Sequence, residues 1–537
     1  MKYALFSILM LVQLSLSAQT DSLWTRCYGG SADEPAGFGS GFPGAPQVSA
    51  IADANDNLYV CTYAASNDGF LTSNAGSDDV WVFKLNSEGD TLWTKVIGGS
   101  SSERAYRIVF DSDNNLLIAG KTLSNNGPFT ENKGSFDGFA AKINAQNGEL
   151  IWLRMYGGTE GDAFYGIIPT SDGGYLIYGE TASIDGNIEQ SSHAGSNEAW
   201  VIKTNAAGVI QWQSLTSGVV NSLDWIETFF SAVEIPNNQG FWLMGVTGNF
   251  NDFNTDDILL CRYNAAGEQT LKKVTGSPSQ DAPGGLVYSA NRIYVSARVG
   301  SIGLDVSQYN GGSADCWLAA FDLNGNKVWD RAYGGTDVEY PYDLNVDGLG
   351  NLWMSAVTRS ANGTAVAPAF GGFDAWYIKI NPLNGDTLKT IRKGGSNADF
   401  GHATAFTPNN AYLYSVGRTR SVNAWAHSNN GADGTADVIV SKWEYEDVTS
   451  VVEMKSETSK IEIFPNPAKD WLQVVWADEN NFVQYAILDL SGRTIIRENT
   501  ESNKYVNILV NSLPSGIYFI ELNDRFGKKS IQKFIVN

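Results

Sequence analysis

Asp79-Val80-Trp81-Val82-Phe83-Lys84-Leu85-Asn86-Ser87-Glu88-Gly89-Asp90-Thr91-Leu92-Trp93 is the stretch whose reading decides the fold. Val80 to Leu85 alternates, with Trp81 and Phe83 on one face and Val80 and Val82 on the other, as a strand requires. A turn containing Gly89 follows, and Leu92 to Ile97 reads as a second strand. The same opening, an acidic residue two before a large apolar one, recurs at Asp137-Gly138-Phe139, Glu198-Ala199-Trp200 and Asp257-Ile258-Leu259. It continues at Asp315-Cys316-Trp317, Asp374-Ala375-Trp376 and Asp437-Val438-Ile439. The spacings are 58, 61, 59, 58, 59 and 63 residues. A second anchor follows each turn: Trp24, Trp93, Trp152, Trp212, Leu271, Trp329 and Leu388. In most copies Gly-Gly lies five residues further on, as in Gly98-Gly99 and Gly334-Gly335. Two anchors, seven copies each, define a repeat.

Each unit adds two more strands, such as Tyr106 to Phe110 and Leu116 to Lys121, separated by the turn cluster Asp111 to Asn115. Four strands per unit of about sixty residues is the pattern of a β-propeller. The body begins with a lone outer-strand motif, Trp24 to Tyr28, and ends with a lone third-strand motif, Val438 to Tyr445. The expectation is an all-β chain: a seven-bladed β-propeller over 19–446, closed by an N-terminal outer strand that completes the last blade. A solenoid has no reason to split one unit between its ends. The repeat resembles bacterial propeller repeats of the pattern D-x-W-x-x-K-x-N-x-x-G-x-x-x-W, matched at Asp79, Trp81, Lys84, Asn86, Gly89 and Trp93. Asn144 to Trp152 is also similar to quinoprotein dehydrogenase repeats, but those enzymes usually have eight units and an adjacent cysteine pair, absent here. The turns differ from those of bacterial sialidase propellers, with Gly89 four residues before Trp93 instead of three. Such resemblances speak to fold rather than chemistry.

The two ends of the chain read differently. Residues 1–18 have Lys2, an apolar run from Tyr3 to Leu16 and the small pair Ser17-Ala18, the pattern of a signal peptide. No later run approaches the ~20 apolar residues of a membrane-spanning helix. Residues 447–460 are polar and free of Gly and Pro, and read as a linker. From 461 to 537 comes a small β-sandwich module: Ile461-Glu-Ile-Phe-Pro465-Asn466-Pro467, Asp489-Leu-Ser-Gly492-Arg493, Leu513-Pro-Ser-Gly516-Ile-Tyr518 and a basic tail ending at Asn537. These motifs closely resemble the C-terminal sorting domain of the type IX secretion system, subtype A. The resemblance implies passage across the outer membrane of a diderm bacterium, with the type IX machinery as partner. It also implies removal of the domain, with the cargo released or left on surface lipopolysaccharide.

The chain of 537 residues has 36 Lys and Arg against 58 Asp and Glu, a net −22 carried almost wholly by the repeat body. That excludes the basic footprint of a nucleic-acid binder. Four cysteines, Cys27, Cys61, Cys261 and Cys316, are too few for a disulfide scaffold, and their pairing is open. An acidic residue shortly after Gly-Gly recurs as Asp33, Glu103, Asp162, Asp281, Asp337 and Asp399, with Asp224 nearest in the irregular fourth copy. If they converge, they form a carboxylate ring at the channel mouth suited to Ca²⁺. The alternative is that each bonds backbone N–H groups in its own turn. Asp53-x-Asn55-x-Asn57 and Asp111-x-Asp113-x-Asn115 lack the Gly and Glu of a calcium loop and read as hairpin turns.

Departures from the repeat are the other candidates. Ser31 to Gln47 is about ten residues longer than its counterparts and carries Phe38 and Phe42. Val219 to Thr228 carries Trp225, and Arg420 to Ala436 carries Trp425 and His427. Exposed aromatics stack on sugars or protein partners; buried ones fill gaps between blades. No nucleophile elbow, zinc-protease helix or phosphate loop is present. The leading reading is a secreted or cell-surface module that binds glycan or protein without catalysis. A polysaccharide-degrading enzyme using top-face carboxylates and a structural matrix protein are the alternatives.

Overall fold

The computed structural model describes residues 22–35, 47–71, 73–189, 197–216, 225–249, 252–365, 369–423, 425 and 435–445 of the body. In the C-terminal module it describes 461–476, 482–489, 494–500, 504–524 and 529–536. The chain divides into two compact units, Met1–Tyr445 and Glu446–Asn537. Residues 1–18 and the linker 447–460 lie outside the described residues. So do Phe38, Phe42, Asp224 and His427. All regular structure among the described residues is β.

Among the described residues the body shows seven four-stranded antiparallel sheets, a propeller-like all-β arrangement. They occupy 49–97, 103–156, 162–216, 225–275, 282–333 and 339–393, and the seventh joins 399–444 to Trp24–Tyr28. In that last sheet Trp24 lies opposite Lys442 and Tyr28 opposite Val438. Within the first six sheets the order follows the chain, from a first strand such as Glu103–Phe110 to an outer one such as Leu150–Tyr156. The third strands are buried along their whole length, because both faces meet a neighbouring sheet. Trp81, Trp200, Trp317 and Trp376 sit there with no more than 1% exposed. The Trp81 Nε1–H donates to Thr94 Oγ1 at 2.7 Å, and that of Trp317 to Asp330 Oδ2 at 3.1 Å. Burying each such ring is worth roughly 1.5–3 kcal/mol.

Adjacent sheets share their cores. Val82 and Tyr59 of the first pack with Ile118 and Phe139 of the second. Val416 and Val440 of the seventh pack with Val60 and Phe83 of the first. The outer strands add a latch. Trp93 covers the turn glycine of the next sheet, Gly148, and its Nε1–H reaches Ala145 O at 3.3 Å. A Cβ on Gly148 would stand 2.9 Å from the Trp93 ring, and φ is +73° there, so only glycine fits. Trp24 repeats this at Gly89, with Tyr28 Oη donating to Gly89 O at 2.6 Å. The N-terminal strand therefore binds both the seventh sheet and the first.

The sorting module holds a three-stranded sheet, Ile461–Phe464, Trp471–Trp476 and Tyr505–Leu509. A four-stranded one follows, Phe482–Leu488, Thr494–Asn499, Gly516–Asp524 and Lys529–Val536. Leu472, Val474 and Ile508 from the first sheet pack against Ile487, Ile520 and Phe534 from the second. The expected sandwich is thus present.

The latch is testable by deletion of one hydroxyl. Tyr333 Oη donates to Gly385 O of the following sheet at 2.6 Å from a buried position. Tyr333→Phe is expected to cost about 1 kcal/mol. Urea denaturation should show a lower midpoint with an unchanged slope.

Candidate functional site

Four of the acidic residues singled out after Gly-Gly, Glu103, Asp162, Asp281 and Asp399, bond to N–H groups of their own turns. Among the described residues no group of three or more Asp, Glu, His or Cys is placed to hold a metal. The repeated carboxylate lies four residues after the second glycine or its equivalent. It is Glu34, Glu103, Asp162, Asp281, Glu339 and Asp399, joined in the irregular fourth copy by Glu227. None is more than 1% exposed. Glu103 accepts from Gly99 N at 2.6 Å and from Thr122 Oγ1 at 2.7 Å. Asp162 accepts from Gly158 N at 2.7 Å, and Asp399 from Gly395 N at 2.7 Å. Asp281 accepts from Ser277 N at 2.6 Å. The backbone N–H of each of the seven donates to the sheet before it, as Glu103 N does to Asp78 O at 2.6 Å and Glu34 N to Ala436 O at 2.7 Å. Six of these carboxylates clasp their own turns, and Glu227 accepts from Thr247 and Lys272 instead.

Asp33 and Asp337 are off this register by one and two residues. Asp33 pairs with Arg420 at 2.9 Å and accepts from Ala436 N at 2.8 Å. Asp337 is exposed, and Glu339 takes the clasp position in its place. Nearness to Gly-Gly misled the reading; the four-residue span to the bonded glycine is what the turn requires. Trp425 is a second correction. It is buried between the sixth and seventh sheets with Trp353 and Ile439, and its Nε1–H donates to Ser441 Oγ at 2.9 Å. It fills a gap and presents no free ring. Trp225 pairs through its backbone with Asn249; its side chain lies outside the described residues. Asp53 and Asp111 accept from backbone N–H groups two and four residues on, so both motifs are hairpin turns. The four cysteines are buried, and no disulfide joins them.

A second carboxylate stands beside each clasp. Asp79, Asp137, Asp315 and Asp374 are fully buried, each with one oxygen bonded to a loop N–H and the other without a hydrogen-bond partner among the described residues. The first glycine of Gly-Gly lies between the two acids: a Cβ on Gly157 would stand 2.6 Å from Asp162 and 2.7 Å from Asp137. Burial, with the neighbouring acid adding, pushes Asp137 up to about 6 and Asp315 to about 7. Burial likewise raises Asp399 to about 6 and Asp281 to about 7.

What varies lies one residue away from these acids. Just after the clasp carboxylate come Arg104, Tyr340 and Phe400. One before the end of the second strand come Tyr63, Lys121, Glu180, Arg298 and Arg418. Just before the third-strand acid come Asp78, Phe136 and Phe373. Here cations lie over rings. Arg104 is 4.8 Å from the Tyr63 centroid, Lys121 4.5 Å from Phe136, Arg298 5.1 Å from Tyr340 and Arg418 5.3 Å from Phe400. Arg359, one residue beyond its strand, lies 5.4 Å from Phe373. Deeper along the first strands, Arg107 of the second sheet pairs with Asp343 of the sixth at 2.9 Å. Tyr106, Tyr165 and Phe230 pack beside one another there. His402, buried and held down to about 3 chiefly by desolvation, is neutral. Sequence reading missed this belt because no single copy repeats it; its signal is the neighbour of a repeated acid, visible once the register is set.

Comparison with known proteins identifies one module. Residues 462–537 match the family model of the secretion system C-terminal sorting domain. The module is a type IX sorting tail. The protein is secreted or displayed at the cell surface. Among the described residues no helix is long and apolar enough to cross a membrane. No curated protein matches the chain. Among solved structures the chain is similar to quinohemoprotein alcohol dehydrogenase from Comamonas testosteroni. Identity is 9% over 84% of this chain and 79% of that one, with a TM-score of 0.40. It is also similar to the periplasmic gluconolactonase of Pseudomonas aeruginosa. There identity is 13% over 85% and 99% of the two chains, with a TM-score of 0.40. No residue role is carried over from either.

Two outcomes follow from the clasp. A methyl group on Gly98 would overlap the Asp79 carboxylate. Gly98→Ala is expected to cost about 1–3 kcal/mol, as overpacking does, read as a lowered urea midpoint. The raised acids also set a pH dependence. With folded values of about 6 to 7 for Asp137, Asp281, Asp315 and Asp399, the folded body binds more protons than the unfolded chain, whose acids titrate near 4. Their contribution is full below pH ~4 and falls as pH rises through about 7. Calorimetry should find a higher Tm at pH 5 than at pH 8; the reverse order would contradict the buried pairs.

Proposed function

We propose that the body, taken as residues 19–446, is a closed seven-bladed β-propeller exported by way of the signal at 1–18. The sorting domain at 461–537 follows the 447–460 linker. Its work is to bind a glycan or protein outside the cell. Closure is supported by Trp24–Tyr28, which completes the seventh sheet while latching onto the first, and by the Glu34 N to Ala436 O bond. The observation that carries the binding role is the belt beside the clasps. The repeated acids are consumed in holding the turns, whereas their neighbours differ from sheet to sheet and place partly exposed cations and rings at one end of the sheets. Repetition answers a structural need shared by every sheet; variation at a fixed register is where recognition is written. The Arg107–Asp343 pair and the rings beside it lie deeper along the same strands, so a ligand is received on this end and not passed through.

The test is a glycan array probed with the purified protein, once with calcium and once with chelator. A specific hit that persists in chelator is expected, because the carboxylates that would bind Ca²⁺ are occupied by N–H groups. A hit abolished by chelator would restore the acidic residues as ligands. A hit accompanied by cleavage of the glycan would turn the reading toward catalysis.

A further inference from the structure

We infer that the face formed by the fifth, sixth and seventh sheets selects an anionic glycan, a polysaccharide carrying carboxylates, and that Arg298 and Arg359 are the groups that read its charge. This rests on the proposal that the clasp end of the body is the binding face.

Three sheets supply one continuous strip. Arg298 caps Tyr340, whose ring centroid is 5.9 Å from Phe373. Arg359 caps Phe373, which is 5.8 Å from Phe400, and Arg418 caps Phe400. Rings and guanidinium groups thus alternate around the mouth. The rings hold the guanidinium planes in place, which lowers the ordering cost of using them. Arg418 is 2% exposed and lies beneath the surface, while Arg298 is partly exposed and Arg359 exposed. Neither Arg298 nor Arg359 forms an ion pair among the described residues; Arg298 Nη1 donates to Gln280 Oε1 at 3.0 Å, while its buried Nε–H has no acceptor there. Arg104, on the other side of the mouth, is paired with Asp78 at 2.7 Å, so the guanidinium groups outside an ion pair are those of Arg298 and Arg359.

Charge and chemistry then specify the ligand. The chain is −22 overall, so most of its surface repels polyanions. Guanidinium groups that form no ion pair are where an anion is admitted, and the planar fork suits bidentate carboxylate recognition. An extended peptide would need backbone partners as well. Those bordering the strip are taken: Arg359 N donates to Val338 O, Asp399 N to Phe373 O, and Gly395 N to Asp399. A polysaccharide leaves its hydroxyls in water and needs only its acid groups read, with ring edges of Tyr340 and Phe373 to rest on.

The test is titration of the full protein with polygalacturonate, with a sulfated galactan and with a neutral glucan. Polygalacturonate should bind, weakening as salt rises, and the neutral glucan should not. Arg298→Ala and Arg359→Ala should each lower affinity at least fivefold, and together more than twentyfold, with Tm unchanged. Arg359→Lys should recover only part, since it keeps the charge and loses the fork. Leu383→Asp, on an exposed turn at the opposite end of the sixth sheet, should change nothing. A sulfated galactan bound more tightly than polygalacturonate would overturn the carboxylate assignment. Equal binding of the neutral glucan, or no binding of any glycan, would overturn the anionic-glycan inference and leave the face free to serve another ligand. Loss of polygalacturonate binding in Leu383→Asp but not in the arginine variants would instead sink the choice of face.

Discussion

One bond pattern governs the body: a buried carboxylate that accepts the N–H of a glycine or serine four residues earlier, while its own N–H reaches the preceding sheet. Glu103 shows all of it, with Gly99, Thr122 and Asp78 O as partners. An unpaired carboxylate in such a place would be costly to bury. Here the acid satisfies turn donors that no strand ladder can reach. It also ties one sheet to the next, and the clasp is present in six of the units among the described residues.

The glycine between the two acids follows from that constraint. Gly157 has Asp162 on one side and Asp137 on the other, and no side chain can stand between them. Two carboxylates this close in a dry site cannot both be fully charged without strain on the electrostatics, so their proton affinities rise. The acidic character of the chain therefore has two meanings. At the surface it keeps the protein soluble and sets which ligands can approach. Inside, it is a set of hydrogen-bond acceptors turned toward their own loops.

The distinction redirects the search for function. Repeated acids suit either a ligand ring or the fastening of turns, and Glu103, Asp162, Asp281 and Asp399 fasten turns. The residues beside them, Tyr340, Phe373 and Arg298, carry no repeat and draw no notice in a single unit. Placed side by side by the packing of two sheets, they lie next to one another. Trp425 teaches the same lesson in reverse: a conspicuous aromatic in an unusual loop proves to be filling between two sheets.

Much was legible in order. The seven Asp-x-Trp-like anchors, the Trp–Gly turn spacing and the orphan outer strand at the N-terminus determine strand order and sheet membership, because alternation and turn chemistry act over a few residues. The sorting module was legible too, since its motifs are local and ordered. What only the tertiary structure decided is which acid in each unit is bonded and which neighbours meet. Asp33 and Glu34 are one residue apart, yet one faces Arg420 and the other is buried under Gly30. Likewise Arg298, Tyr340, Phe373 and Arg359 come from two sheets and more than one loop. Their juxtaposition depends on how successive sheets pack, a relation between distant segments that no local pattern encodes.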